Sequence, residues 1–70
     1  MIGTLSFNSK SDQMAAYRYL RNRSILAEKR TKSRGDHHLR VHIPKDRTWP
    51  SMVQSLAVQG FSFLNLGAEE

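Results

Sequence analysis

In the stretch HHLRVHIP, residues 37–44, Leu39, Val41 and Ile43 fall on one side of an extended backbone and His38, Arg40 and His42 on the other. Alternation with a period of two predicts a strand with one apolar and one cationic face, closed before Pro44, which cannot donate to a ladder. Downstream, Lys45-Asp46-Arg47 reads as a turn and Thr48 as a helix N-cap. Pro50 fits the first helical turn, where its missing N–H is not needed. Trp49, Met52, Val53, Leu56 and Ala57 then recur at helical spacing until Gly60 ends the helix. Phe61 to Leu66 predicts a last strand, with Phe61 and Phe63 on one side and Leu64 and Leu66 on the other.

Upstream of the decisive strand, Thr31-Lys32-Ser33-Arg34-Gly35-Asp36 is polar with one glycine and reads as a loop. A helix is expected to run from Ser11 towards Arg30, capped by Ser9 or Ser11, with Asp12 near the positive end of its dipole. Ala16, Tyr17, Leu20, Ser24 and Ala27 share one face at 100° per residue and form the stripe to bury. Ile25 and Leu26 fall off that stripe. Either the helix bends or ends near Asn22 to Ser24, or these two residues meet another surface, such as a second subunit. The chain opens with Ile2 to Phe7, whose alternation predicts a half-buried strand.

The expected fold class is therefore α/β: one small basic domain over residues 1–70 in the order β-α-β-α-β. Right-handed crossovers would place two helices on one face of a three-stranded, largely parallel sheet. An antiparallel arrangement with the second and third strands adjacent is the alternative. The face left bare would carry His38, Arg40, His42, Thr4, Ser6 and either the phenylalanine or the leucine pair. Parallel sheets are seldom left bare, so a homodimer through this face or through a β edge is expected.

Charge is concentrated in the middle of the chain. All eleven Lys and Arg lie between Lys10 and Arg47, together with Asp12, Glu28, Asp36 and Asp46, whereas residues 1–9 and 48–68 carry no charge. A cationic cluster of this kind suits phosphate backbones or an acidic protein surface. Cysteine is absent, which removes disulfides, thiolate zinc sites and cysteine nucleophiles. The uncharged run 48–68 contains Pro50, Gln54, Gln59, Gly60 and Asn65 and reads as a helix and a strand, not a membrane span. No signal-peptide pattern opens the chain, so no membrane association and a cytoplasmic location are expected.

Four constellations are candidates for function. Arg18, Arg21, Arg23, Lys29 and Arg30 fall on the expected first helix, where Arg21, Arg18 and Lys29 project within about 80° of one another and can track a phosphate backbone. Lys32 and Arg34 in the TKSRGD loop extend the basic set, and Arg40 adds to it from the strand. The loop has neither the GxxxxGK[ST] nor the GxGxxG pattern, and no cofactor is expected. His37, His38 and His42 do not make a metal site, because His38 and His42 are about 13 Å apart along a strand at 3.3 Å per residue. Trp49 reads as a core residue first and as a contact residue second; with His38, His42, Leu64 and Leu66 it forms the possible interface set.

The reading that follows is a non-enzymatic module whose basic patch binds nucleic acid or a nucleic-acid-handling machine. The alternative is a small protein-directed inhibitor or adaptor that docks on an acidic enzyme surface. A histidine ribonuclease ranks below both. Gly35-Asp36-His37-His38-Leu39 resembles the Gly-Ser-His-His stretch of HicA-type toxin ribonucleases, with Asp36 in place of Ser. That family's α-β-β-β-α order differs from the order here, and membership is not assigned.

Overall fold

A computed structural model of the chain describes residues 1–30 and 37–69. The expected loop at residues 31–36, with Lys32 and Arg34, lies outside the described residues. Among those described, β1 (Ile2–Phe7), α1 (Lys10–Asn22), β2 (Ala27–Arg30), β3 (His37–His42), α2 (Trp49–Val58) and β4 (Phe63–Glu69) follow in that order. The strands form one sheet in the order β2-β3-β1-β4, and every neighbouring pair is antiparallel.

Two expectations are corrected here. The sheet has four strands and not three, and it is antiparallel and not largely parallel. The helices are nevertheless crossovers. α1 joins β1 to β2, which run parallel with β3 between them, and α2 joins β3 to β4 with β1 between them. This is the split βαβ arrangement, β-α-β-β-α-β.

The additional strand exists because α1 stops early. Ser9 Oγ accepts a hydrogen bond from Asp12 N at the start, and at the end Ser24 adopts a left-handed backbone with φ of 61°. Ser24 N donates to Arg21 O, and Ile25 N reaches back to Leu20 O at 2.9 Å, so the last carbonyls are satisfied by a Schellman motif. Ile25 and Leu20, the two apolar partners of that motif, are both buried. Ile25 therefore leaves the helical stripe because the helix has ended, and Ala27 onward is free to pair with β3. α2 ends in the same way: Gly60, at φ of 92°, donates to Ala57 O and Phe61 N donates to Leu56 O.

Packing is one-sided. Leu5 and Phe7 of β1, Ala27 of β2, and Leu39 and Val41 of β3 point towards the helices, where they meet Ala16 and Leu20 of α1 and Trp49, Met52 and Leu56 of α2. Gln13 is the buried polar residue of this layer, and its side-chain amide donates to His38 O at 2.7 Å, which ties α1 to β3. Trp49 lies against Gly3: a methyl group added there would come within 2.4–2.5 Å of the indole ring. The indole N–H donates to Asn65 Oδ1 at 3.0 Å, so one side chain of α2 fixes both β1 and β4.

Two substitutions test these contacts. Gly3→Ala forces a methyl group into the Trp49 ring and should destabilise the fold by about 1–3 kcal/mol, read by urea denaturation followed through Trp49 fluorescence. Ser24→Gly relieves a left-handed backbone that costs an L-residue about 1–2 kcal/mol, and should raise stability by up to about 1 kcal/mol in the same measurement, because a glycine also frees the unfolded chain.

Candidate functional site

The face of the sheet opposite the helices has no covering element among the described residues. Strand alternation and register assign its side chains. Ile2, Thr4 and Ser6 of β1 sit opposite His42, Arg40 and His38 of β3, and Arg40 and His38 sit in turn opposite Glu28 and Arg30 of β2. His42 N donates to Leu26 O, so exposed Leu26 continues β2's outward set. From β4, Leu64 lies opposite Ser6 and Glu69 opposite Ile2. Of the two pairs weighed for this face, the leucines occupy it, whereas Phe63 turns inward to meet the ring of Phe7 at 6.0 Å.

The face is divided by chemistry. Its β2–β3 half holds Arg30, Arg40, His38 and His42 together with Glu28; its β4 edge holds Leu64 and Leu66. Between them is an open depression of about 290 Å³ lined by Ile2, Thr4, Arg30, His38, Arg40 and Glu69. Glu28 is the one carboxylate in an ion pair among the described residues. It holds Arg30 Nη2 at 3.2 Å and lies 3.7 Å from His42 Nε2. Those side chains are all more than a third exposed, so solvent screens the pairs.

Among the described residues, the basic side chains named from sequence are divided between the two faces of the sheet. Arg18 and Arg21 are exposed on α1 and Arg23 at its C-cap, on the helix layer. The Arg23 guanidinium stacks 4.5 Å over Tyr19, whose ring packs edge-on against Phe61. Lys29 and Arg30 belong to β2 and not to the helix, and successive strand residues point to opposite faces. Arg30 reaches the open face. Lys29 turns to the helix side, 5.0 Å from the Tyr17 ring and 3.4 Å from Met14 Sδ. Lys29 thus stays on the layer of Arg18 and Arg21 but from a strand and not from the helix, and Arg30 is parted from all three.

The interface set is divided as well. His38, His42, Leu64 and Leu66 share the open face, but Trp49 is buried in the core. His37 lies opposite inward-facing Phe7, and its Nδ1 is buried without a hydrogen-bond partner among the described residues. The histidine trio is thus split across the sheet. No group of three His, Asp or Glu residues placed to hold a metal ion occurs among the described residues. Glu28, Ile2 and Glu69 belong to the face without being sequence candidates, whereas Leu26 is singled out in the sequence as falling off the helical stripe; the signal for Glu28 is its i, i+2 spacing from Arg30.

No protein-family model, curated protein or solved structure gives a significant match to this chain. The site is therefore read from its own chemistry. Exposed ion pairs contribute about 0–1 kcal/mol, so Glu28→Gln should leave the denaturation midpoint almost unchanged while making the open face more cationic. A loss well above about 1 kcal/mol in urea denaturation would assign Glu28 a structural role.

Proposed function

We propose that the chain is a non-enzymatic binding module that holds single-stranded nucleic acid across the open face of its sheet. The observation that supports this reading is that β3, an interior strand, presents His38, Arg40 and His42 outward in a row, with Arg30 beside them on β2. Arg30 and Arg40 can neutralise backbone phosphates, and imidazole and guanidinium planes can stack on unpaired bases.

An unpaired strand suits this surface better than a duplex. Four strands about 4.8 Å apart span roughly 14 Å between the outer two, more than the roughly 12 Å width of the B-DNA major groove. Splayed bases can lie on such a face. RNA-recognition sheets with four strands stack bases on aromatic side chains, by analogy of architecture alone. Here imidazoles stand where such aromatics would act, so phosphate neutralisation carries a larger share and salt dependence is correspondingly strong.

The protein-directed reading keeps one specific support. Leu26, 65% exposed, stands beside His42 and can anchor the cationic half of the face on an acidic protein. Recovery of one stoichiometric protein partner from a nuclease-treated lysate, with no affinity for oligonucleotides, would favour it.

Fluorescence anisotropy with labelled oligouridine, oligothymidine and a matched duplex tests the proposal. The single strands should bind more tightly than the duplex, and affinity should fall with salt at a slope of about −0.7 per neutralised phosphate on a log–log plot. Arg40→Ala and Arg30→Ala should each weaken binding and flatten that slope by nearly one phosphate, whereas Arg18→Ala on the helix layer should not. Absence of binding to either single strand at low salt refutes the proposal.

A further inference from the structure

The two edges of the sheet are built differently. Among the described residues β2 has four and carries Glu28, Lys29 and Arg30, the short and charged construction that discourages an edge from pairing. β4 has seven residues, is exposed from Leu64 to Glu69, and bears a single charge, Glu69, near its end. Among the described residues it has no strand on its outer side. Unpaired backbone donors and acceptors therefore run along it, beside Leu64 and Leu66 at 63% and 47% exposure.

We infer that β4 pairs with β4 of a second copy of the chain, antiparallel about a two-fold axis, and joins two four-stranded sheets into one of eight strands. Charge selects this occupant. Every Lys and Arg of the chain lies between Lys10 and Arg47, and β1 separates β4 from the cationic strands β3 and β2. Contact through β4 brings two basic molecules together by their neutral flank, whereas contact through the open face would oppose Arg30, Arg40 and the histidines of both.

Register supports the same choice. Residues directly opposite one another across an antiparallel pair must share a face, so a two-fold axis through Asn65 sets Leu64 of each copy against Leu66 of the other. Phe63 then faces Gly67, and Glu69 of each copy falls beyond the paired segment. The ladder to β1 shifts register between Gly3 and Leu5, and Gly67 has a φ of 94°. That bulge confines regular pairing to the stretch ending at Gly67. The inference does not depend on what the open face binds.

Sedimentation velocity of the whole protein over a wide concentration range tests it, together with hydrogen exchange. The mass should rise with concentration from 8.0 kDa towards twice that value. Protection should rise in parallel for those amides of residues 63–66 that point away from β1, since Gly67 N is already given to Asn65 Oδ1. Leu66→Lys places a charge on the edge strand and should move the dimerisation midpoint to a concentration about tenfold higher or more. Val58→Lys, at an exposed apolar position on α2, should leave it unchanged. A single-chain mass at every concentration overturns the inference, as does a dimer in which β4 amides gain no protection. The exchange measurement on the unaltered protein keeps the test decisive if Leu66→Lys fails to fold.

Discussion

The indole of Trp49 lies against the backbone of Gly3 and gives its N–H to Asn65, and the rest of the fold depends on that placement. α2 carries no charged side chain, and among the described residues apolar packing and this single polar side-chain contact hold it to the sheet. β4 needs the same residue even more. Beyond its ladder with β1 and the Phe7–Phe63 contact, β4 buries little, and Asn65 is where it is tied to the helix layer. Asn65 Oδ1 also accepts from Gly67 N at 2.8 Å, which joins the bulge to the same tether. A chain this short leaves roughly 40% of its unfolded surface exposed after folding, so each such tether weighs heavily.

Much of the architecture was legible because local chemistry and tertiary packing agree. The alternation in 37–44 marks β3, and Thr48, Pro50 and Gly60 bracket α2 to within a residue or two. Leu64 and Leu66 read as sharing one side of the last strand, and they do, on the open face that the sequence leaves to either the leucine or the phenylalanine pair. The region after α1 was not legible, and two residues explain why. Ser24 occupies the left-handed position that Gly60 fills in α2, but serine gives no sign of φ above zero, so an end near Asn22 to Ser24, which is where α1 stops, reads only as an alternative to a helix running towards Arg30. Ala27-Glu28-Lys29-Arg30 is a run of strong helix formers that becomes a strand because β3 offers it a ladder. Once that strand was missed, the strand count and the antiparallel order were missed with it.

The candidate site shows the same division. His38, Arg40 and His42 were placed together correctly because the period of a strand assigns faces unambiguously. The arginine set was not, because Lys29 and Arg30 were read with a helical period that places them about 100° apart, whereas a strand sends them to opposite sides of the sheet. Glu28 was seen only as a charge in a count. Its position opposite Arg40 and between Arg30 and His42 makes it the group that sets how much positive charge the face shows.

The one-sided interior has an evolutionary corollary. Outward positions of β1, β2 and β3 are under no steric demand from a neighbouring layer, so most exchanges there leave folding intact. The chemistry of this face can consequently change by ordinary sequence drift, one position at a time, without a compensating repair elsewhere. The same freedom makes these three strands a practical surface for randomised libraries, with Gly3, Trp49 and Asn65 held constant.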